Sequence, residues 1–423
     1  MQSLNIPETS LKRVVIVGAG FGGLQLVRSI NSQNFQTVLI DKHNYHTFQP
    51  LLYQVATAGL EPDSIAYPIR KIFKNKNEFY FRMSSAVSVD CENNVLKTDQ
   101  GTLSFDYLVI ATGSQSNYFG NKNIEQFSMP MKTVPEALDL RSLFLQNFEA
   151  SLLTSDLTER ERLMNYVIVG GGPTGVELAG AMAELKNLVL PNDYPDLDIR
   201  RMKISLIEAG PSLLSAMSKR SGKTAAHYLK KLGVDLYFNT FVKDYDGNSV
   251  LTTEKTIESK TLIWAAGVKG NTLQGIPESS VSRGRYSVND YNLIENTSSI
   301  FAIGDVALMP SVSENGDPMV AQTAIQHGKL LAANLNNLNT GKAAKPFKYN
   351  DKGSMATIGR NKAVAQIGSF KSRGFTAWFI WMFVHLITLV GFRNKMVALL
   401  NWTQSYFTYD KGIRLIIRPY KKK

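Results

Sequence analysis

Cysteine is almost absent from this chain, since Cys91 is the one cysteine among 423 residues. A lone thiol has no partner within the chain, which excludes intramolecular disulfides, a dithiol redox pair, and a zinc or iron–sulfur site built from several cysteines. We therefore expect a protein of a reducing compartment with no metal centre.

A secretory signal is also lacking at the start of the sequence. Residues 1–10 contain no apolar run and include Glu8 without an arginine, so we expect a cytoplasmic start. With 44% apolar and 19% charged residues the chain is predicted to be globular. Its length suffices for two or three domains, each with a core of its own.

Surplus positive charge is confined to the C-terminal part of the chain. The formal net charge is +12, and residues 346–423 contain fourteen Lys or Arg against two acidic residues, so the rest of the chain is neutral overall. Such a segment can meet nucleic acid or an anionic membrane. No motif that reads nucleic acid is present, so we expect no nucleic-acid partner.

The same C-terminal part holds an apolar stretch of eighteen residues, 375–392, in which His385 is the one ionisable side chain. This length is at the lower limit for a transmembrane helix. Basic residues flank both ends, and His385 would be costly at a bilayer centre, so the pattern favours a helix in the plane of the membrane. Residues 393–409 continue as an amphipathic stretch, and three of the four tryptophans fall in this region, as expected at headgroup depth. A true span, a dimer interface and a plain core helix remain alternatives.

Two glycine-rich turns of the form G-x-G-x-x-G lie about 150 residues apart. The first contains Gly18, Gly20, Phe21, Gly22 and Gly23, and the second contains Gly170, Gly172, Thr174 and Gly175. Each follows an apolar run typical of a buried parallel strand and opens an apolar-rich helix, as in dinucleotide-binding turns. The helix N-terminus offers free N–H groups to phosphates, so two turns predict two bound nucleotides.

An acidic residue completes each turn. Asp41 ends the strand pattern 37–40 and Glu208 ends the pattern 204–207, where a carboxylate accepts hydrogen bonds from ribose hydroxyls. A carboxylate at Glu208 would also repel a ribose 2′-phosphate, and its neighbours Ala209 and Gly210 supply no cation. The second turn is therefore predicted to prefer NADH over NADPH.

The order of patterns predicts an α/β fold with two Rossmann-like dinucleotide-binding domains, one inserted in the other, followed by a C-terminal amphipathic helical membrane-attachment region. The strand patterns 105–113 and 261–267 end in small residues, and the pattern 299–303 leads into Gly304 and returns the chain to the first domain. Segments 79–89 and 234–257 alternate as in small antiparallel sheets. The expected domains are residues 1–117 with 298–345 for the first nucleotide, 118–297 for the second, and 346–423 for the membrane.

Together these residues resemble the two-dinucleotide flavoprotein reductases, and more narrowly the type II NADH:quinone oxidoreductases, also called alternative NADH dehydrogenases. The wider resemblance rests on the two turns, on Ala111-Thr112-Gly113, and on the segment 301–305. The narrower one rests on the segment 46–57, on the A-Q-x-A-x-Q motif of residues 321–328, and on the aromatic, basic tail.

The resemblance implies FAD at the first turn, with Asp305 beside the ribityl chain, and NADH as the substrate at the second. The candidate cofactor-binding residues are Gly18, Gly20, Phe21, Gly22, Gly23, Asp41, Lys42, Pro50, Ala111, Thr112, Gly113, Gly172, Thr174, Gly175, Glu208, Ala266, Gly267, Gly304, Asp305 and Gln322. The candidate catalytic residues are Glu177, Gln322 and Gln326.

Each candidate for the chemistry has a structural alternative. Gln322 and Gln326 share one helix face, and their amides could hold a quinone carbonyl, or the helix could simply pack through its small residues. Glu177 lies near the nicotinamide by resemblance, or stabilises a helix N-terminus. His327 and His385 could deliver protons to a reduced quinone, or serve only in packing.

The expected function is oxidation of NADH through FAD with two-electron reduction of a quinone in the respiratory chain, by a non-pumping peripheral enzyme on the cytoplasmic side of the inner membrane. A homodimer is compatible with this function. The rivals are a soluble NADH-dependent reductase of a ferredoxin-like electron carrier and a redox-sensing NADH-binding protein. Disulfide reductases and sulfide:quinone oxidoreductases need cysteines near the flavin, which this chain lacks.

Overall fold

The computed structural model describes residues 2–313, 315–408 and 414–421. The chain forms two compact units. The first unit comprises Met1–His46, Tyr67–Gln115 and Val268–Asp351, and the second comprises Thr47–Ala66, Ser116–Gly267 and Lys352–Lys423. The bounds of these units come from packing within the chain and do not identify the nucleotide that each expected domain binds. The assignment of one nucleotide to each domain therefore stays a prediction.

A five-stranded parallel sheet forms the centre of the first unit. In spatial order its strands are Ile300–Ala302, Tyr107–Ile110, Lys12–Val17, Phe35–Asp41 and Phe79–Met83. The middle strands are buried on both faces and rich in Val, Ile and Leu, as expected for a covered parallel sheet.

Two helices of the first unit pack closely on each other: the first-turn helix, Phe21–Ser29, and the Gln helix, Ala321–Asn339. Small residues permit the close approach, since a Cβ added at Gly328 would lie 2.4 Å from the carbonyl oxygen of Gly22. Gly328, at the end of the segment 321–328, thus lets the two helices approach each other closely.

Two smaller sheets complete the first unit. One is antiparallel, with strands Ala86–Asp90, Val95–Thr98 and Thr102–Ser104. The other joins Val281–Ser282, Arg285–Ser287 and Ala307–Leu308. The expectation of an antiparallel sheet from residue 79 onward was wrong for Phe79–Met83, which is the edge strand of the parallel sheet. An edge strand is half buried, so it alternates as an antiparallel strand does.

The second unit repeats the arrangement of the first. Its parallel sheet has the spatial order Met129–Pro130, Thr261–Trp264, Asn165–Val169, Lys203–Ile207 and Asp235–Tyr237. The strands Val242–Tyr245, Ser249–Thr252 and Thr256–Glu258 form an antiparallel sheet. The expected antiparallel segment 234–257 therefore begins with a parallel edge strand.

Helices of the second unit begin where the sequence supplies caps. The helix Val134–Leu153 starts at a capping box in which Thr133 and Glu136 satisfy each other's backbone N–H groups. The second-turn helix, Pro173–Glu184, has proline in its first turn and continues as a π-helical segment, Leu185–Val189. Between residues 116 and 267 the second unit also has the helices Lys122–Phe127, Leu157–Met164, Leu190–Asp193 and Lys219–Lys231.

The tail belongs to the second unit. Strands Ser354–Thr357, Ala363–Ile367 and Phe370–Gly374 form a sheet that packs against the first tail helix, Phe375–Thr388, and the second tail helix follows at Phe392–Thr408. The expected continuous helix 375–392 ends at Thr388, because Leu389 is extended and Gly391 has φ +89°. Tyr409, Ile413, Lys422 and Lys423 lie outside the described residues. In the described part of the chain, every helix is too short or too polar to cross a bilayer.

Short elements make up the remainder. They are the strands Tyr45–Thr47, Ala66–Pro68, Ser114–Ser116 and Val268–Gly270, the helices Leu52–Ala56, Pro62–Ile65 and Ile69–Ile72, and the 3-10 turns Gln49–Leu51, Ile199–Arg201, Glu278–Ser280 and Gly304–Val306.

Candidate active site

The first glycine turn has the shape of a phosphate cradle. Gly18 has φ +108°, and a Cβ there would lie 2.3 Å from the carbonyl oxygen of Ala111. A Cβ at Gly23 would lie 1.9 Å from the carbonyl oxygen of Gly18, so only glycine fits at either position. At Gly20, by contrast, no atom from elsewhere in the described chain would lie within 4 Å of a Cβ, which leaves open space over the helix N-terminus. These residues fit the pyrophosphate of FAD.

Asp41 and His46 hold this turn in place. The Asp41 carboxylate accepts the backbone N–H groups of Ala19 at 2.6 Å and His43 at 2.7 Å. The buried His46 ring bonds the carbonyl oxygen of Ala19 through Nδ1 at 2.8 Å and meets the ring of Phe21 edge to face. Burial lowers the pKa of His46 to about 4, so this ring is neutral at pH 7. Lys42 is exposed beside Asp41.

The other first-unit candidates meet at the same edge of the sheet. Ala111 continues the strand Tyr107–Ile110 by donating its N–H to Val17, and the Thr112 hydroxyl donates to the carbonyl oxygen of Asn271 at 2.6 Å. Gly113 has φ +69°. Asp305 accepts a hydrogen bond from the Ser114 hydroxyl at 2.6 Å, which fixes its carboxylate at this edge.

A buried polar cluster lies beneath Gly304. The backbone N–H of Gly304 donates to Nδ1 of His327 at 3.2 Å, and Nε2 of His327 lies 3.3 Å from the Asp317 carboxylate. Asp317 also pairs with Arg285 at 3.2 Å. Burial and the Arg285 charge lower the pKa of His327 to about 3, so the ring is neutral at pH 7 and does not carry a proton for delivery.

The two glutamines of the Gln helix are engaged with the segment that follows it. Gln326 donates to the carbonyl oxygen of Asn350 at 2.9 Å and accepts the backbone N–H of Asn350 at 3.0 Å. Gln322 donates to the Asp351 carboxylate at 3.3 Å. Both lie in the first unit, and their contact with a quinone stays a prediction.

The second glycine turn repeats the geometry of the first. Gly170 has φ +112° and a Cβ there would lie 2.6 Å from the carbonyl oxygen of Ala265, while a Cβ at Gly175 would lie 1.9 Å from the carbonyl oxygen of Gly170. At Gly172 the space is open among the described residues, and Thr174 is exposed in the first turn of the helix. A second pyrophosphate fits here.

Glu208 plays the part in the second turn that Asp41 plays in the first. Its carboxylate accepts the backbone N–H of Gly171 at 2.6 Å and that of Gly210 at 2.6 Å. Ala266 and Gly267 follow the neighbouring strand Thr261–Trp264 at the same edge of the sheet. The candidates Gly172, Thr174, Gly175, Glu208, Ala266 and Gly267 therefore belong to one edge of one sheet.

Glu177 is a buried carboxyl on the second-turn helix. Burial raises its pKa to about 8, although the Thr357 N–H donates to it at 3.3 Å and the Trp381 indole also favours the charged form. At neutral pH this carboxyl therefore holds a proton in most molecules. Glu177 lies after the first turn of its helix and is 7% exposed. A carboxylate that only stabilises a helix N-terminus lies in the first turn, so this position does not favour that alternative.

Glu177 lines a pocket of the second unit with a volume of about 880 Å³, its open mouth included. One wall is the second-turn helix with Glu177, Ala181 and Glu184, and another comes from the tail helices. Tyr53 and Gln54, three and four residues after the candidate Pro50, form a further wall. The Trp402 indole N–H donates to Gln54 at 2.8 Å and fixes the second tail helix there.

The tail tryptophans face inward, and phenylalanines face outward. Trp381 is 3% exposed, and Trp378, Trp381 and Trp402 all line the pocket. The expectation that these rings lie at headgroup depth was wrong for Trp381, which is buried inside the unit, and stays a prediction for Trp378 and Trp402, which are half-buried. His385 stacks on Trp381 with ring centroids 4.2 Å apart, and burial lowers its pKa to about 4, so it too is neutral at pH 7.

Family models and relatives of known family match this chain. A family model described as pyridine nucleotide-disulphide oxidoreductase matches residues 12–328, and one described as the NDH2 C-terminal domain matches residues 352–409. The type II NADH:quinone oxidoreductase Ndh of Mycobacterium tuberculosis is 36% identical over 95% of this chain and 89% of its own length. The chain belongs to the type II NADH:quinone oxidoreductase family. It is an oxidoreductase.

A more distant relative and a solved structure with the same fold also match the chain. The external NADH-ubiquinone oxidoreductase 2 of Saccharomyces cerevisiae is 28% identical over 94% of this chain and 81% of its own length. The solved structure of NDH2 from Plasmodium falciparum in complex with NADH has the same fold, with a TM-score of 0.87 at 21% identity over 96% of this chain and all of that one. The family expected from the sequence is confirmed.

The fold alone does not separate this family from sulfide oxidation. The sulfide:quinone oxidoreductase of Aquifex aeolicus has the same fold, with a TM-score of 0.71 at 18% identity over 94% of this chain and 96% of that one. In this chain the Cys91 thiol donates to the carbonyl oxygen of Gly275 at 3.1 Å, and burial raises its pKa. A protonated thiol in such a bond is a poor nucleophile, which agrees with the family assignment.

Sequence reasoning named Glu177 and the segment 46–57 but missed the other walls of the pocket. Arg360 lines it with its guanidinium 4.1 Å from the centre of the Tyr406 ring, and Glu184 accepts the backbone N–H of Arg360. The one local signal was the seven-residue spacing of Glu177 and Glu184, which places two carboxyls on one helix face. The remaining walls come from distant segments that no local pattern connects.

Proposed function

We propose that this chain oxidises NADH through a bound FAD and transfers two electrons to a quinone, without pumping protons. The observation that carries the proposal is the pair of matching cradles: each has a glycine turn open at its centre, and each has a carboxylate that accepts a turn N–H at 2.6 Å. FAD at the first cradle supplies hydride acceptance and two-electron release. Gly18, Gly20, Gly23 and Asp41 would hold it.

The second cradle binds NADH in this proposal. The Glu208 carboxylate has lone pairs that its bonds to Gly171 and Gly210 do not use, and these accept hydrogen bonds from the ribose hydroxyls. The N-terminus of the second-turn helix binds the pyrophosphate. The relative named for NADH and quinone, from Mycobacterium tuberculosis, supports this choice of substrates.

The pocket beside Glu177 receives the quinone. Trp378, Trp381 and Met382 give it apolar walls that suit a flat ring and an isoprenoid chain. Glu177 holds a proton at neutral pH and is the candidate donor to the reduced quinone. Gln326, bonded to Asn350 through both ends of its amide, holds the segment after the Gln helix in place.

Attachment to the cytoplasmic surface of the inner membrane is part of the proposal. Phe375, Phe379, Phe383 and Ile387 recur every fourth residue on the first tail helix, and each is more than half exposed. Phe392, Met396 and Leu400 continue this apolar stripe on the second tail helix. A contiguous exposed stripe of large apolar side chains beside basic residues is typical of a helix that lies in the membrane plane.

The basic end of the tail contributes less to that surface than its composition indicates. Arg414 pairs with Asp193, and Arg418 pairs with Asp139 at 2.8 Å. The backbone N–H of Tyr420 donates to Gln146 at 2.8 Å. These contacts hold residues 414–421 along the second unit.

Steady-state NADH oxidation distinguishes the proposal from its soluble rival. Purified protein should oxidise NADH rapidly with a short-chain quinone and slowly with a ferredoxin-like carrier, and the opposite ratio would contradict the proposal. For membrane attachment, Phe379→Ser with Phe383→Ser should abolish flotation with vesicles containing anionic lipid. Unaltered flotation of this variant would contradict the membrane role. So would light scattering that shows a dimer for the wild type and a monomer for the variant, because a second copy would then cover the stripe.

A further inference from the structure

Phe119 has a strained backbone that burial does not offset. Its φ is +52°, a left-handed conformation that large side chains rarely adopt, yet the residue is 70% exposed. Leu214 has a similar φ of +53°, but its side chain is 2% exposed and so gains from packing. Strain of this kind tends to occur at ligand clamps and functional sites.

Specific hydrogen bonds hold Phe119 in this conformation. Its backbone N–H donates to the side-chain oxygen of Asn117 at 2.9 Å. The backbone N–H of Asn117 donates to the carbonyl oxygen of Gly267 at 3.2 Å, and the Trp264 indole N–H donates to the carbonyl oxygen of Asn117 at 2.9 Å. The strained residue is thus tied to the end of the strand Thr261–Trp264.

The Phe119 ring lies over Gly267. A Cβ at Gly267 would come within 2.7 Å of Cζ of Phe119, and Gly267 itself has φ +73°. The second glycine turn is close by, since a Cβ at Gly170 would lie 2.6 Å from the carbonyl oxygen of Ala265. The exposed ring therefore stands at the same sheet edge as the NADH cradle, where ligands of such folds bind.

The strand order indicates which half of the dinucleotide reaches this point. Glu208 follows the strand on one side of Asn165–Val169 and marks the adenosine ribose, and the pyrophosphate lies over the turn after Asn165–Val169. The strand Thr261–Trp264 lies on the other side. The nicotinamide half must extend in that direction, toward Gly267 and Phe119.

We propose that the exposed ring of Phe119 contacts the nicotinamide of the bound dinucleotide and positions it for hydride transfer. The inference rests on the proposed use of NADH and adds a positioning residue to that site. The ligand-binding contact explains why a bulky residue is held in a left-handed conformation at an exposed place. An aromatic ring can cover a nicotinamide and exclude water from it.

Two ligands that differ only in the nicotinamide test the inference. Calorimetric titration of the flavin-loaded protein with NAD⁺ and with ADP-ribose would be compared for wild type, Phe119→Ala, Phe119→Asn and Phe119→Tyr. Asparagine tolerates the left-handed backbone, so Phe119→Asn removes the ring without removing the turn. Phe241→Ala is the matched control, because Phe241 is another exposed phenylalanine of the same unit. Thermal unfolding of each variant reports on folding.

The expected result is a loss of NAD⁺ affinity of about three- to tenfold in Phe119→Ala and Phe119→Asn, with ADP-ribose affinity unchanged. Phe119→Tyr and Phe241→Ala should bind both ligands as wild type does. An equal loss of affinity for both ligands would indicate a structural role for Phe119. Unchanged affinity for both would show that the ring does not contact the nicotinamide. Either result overturns the inference alone. Wild-type protein that binds neither ligand would overturn the proposed use of NADH as well.

Discussion

Glu208 accepts the backbone N–H of Gly171 at 2.6 Å, so the residue that meets the ribose also holds the glycine turn in shape. Asp41 and Ala19 form the same bond at 2.6 Å in the first unit. Each cradle therefore couples its selectivity for a ribose to the position of its phosphate-binding loop. A change at the acidic residue should alter both properties.

Glu208→Gln should narrow the preference for NADH over NADPH. The amide removes the charge that repels a 2′-phosphate, and it can accept only one of the two backbone N–H groups. We expect kcat/KM for NADH to fall about tenfold, because a lost hydrogen bond to a charged group is worth roughly 1.5 kcal/mol or more. Activity with NADPH should not fall. Glu254→Gln, an exposed glutamate of the same unit, is the control, and an unaltered NADH to NADPH ratio in Glu208→Gln would contradict the assignment.

Glu177→Gln should slow quinone reduction and leave flavin reduction by NADH intact. Because the pKa of Glu177 is about 8, its carboxyl can donate a proton below that pH and loses this ability above it. We expect quinone reduction by wild type to decline above about pH 8, and the glutamine variant to be slower by about a hundredfold and to lack this decline. The test is the pH profile of flavin reoxidation by a short-chain quinone. An identical alkaline decline in both proteins would assign the proton to another group.

Protonation of His327 should destabilise the protein in acid. Its pKa is lowered from 6.5 to about 3 in the folded state, so the unfolded chain takes up the proton first as the pH falls. The contribution of the neutral ring to stability is complete above pH 6.5 and is lost progressively between pH 6.5 and pH 3. We expect His327→Gln to show a shallower fall in unfolding free energy over this range, measured by urea denaturation. His227→Gln, at an exposed position, should keep the wild-type slope, and a wild-type slope in His327→Gln would refute the account.

Two alanine substitutions should separate packing from cofactor binding in the first unit. Gly328→Ala places a methyl group 2.4 Å from the Gly22 carbonyl oxygen, and we expect a loss of unfolding free energy of about 1–3 kcal/mol. Gly20→Ala enters open space, so the apoprotein should unfold as wild type does while FAD content falls. Denaturation of both apoproteins and flavin absorbance after purification check the pair. Normal FAD content in Gly20→Ala would place the pyrophosphate elsewhere.

The sequence predicted those parts of the site whose residues lie close together along the chain. Gly18, Gly20 and Gly23 lie within six residues, and Asp41 ends the next strand along the chain, Phe35–Asp41. The fold class and the family were confirmed on this basis. The tail was predicted less well, because hydropathy does not reveal the break at Gly391, and an aromatic residue such as Trp381 satisfies the same pattern whether it faces lipid or lines a pocket.

The pocket could not be predicted because its walls come together only in three dimensions. Gln54, Glu177, Arg360 and Trp402 lie far apart in the sequence, and each of the four is compatible with a surface or core position on local grounds. The raised pKa of Glu177 depends on burial by this packing and not on charged neighbours in its own helix. The strain at Phe119 likewise depends on its ties to Gly267, which a linear pattern does not contain.

In the proposed function one chain passes electrons from NADH through FAD to a quinone. Anaerobic stopped-flow mixing at the flavin absorbance tests it most directly, with NADH in the first mix and a short-chain quinone in the second. We expect rapid loss of the oxidised flavin signal after the first mix and rapid return after the second. A colourless protein, a flavin that NADH leaves oxidised, or a reduced flavin that quinone does not reoxidise would contradict it.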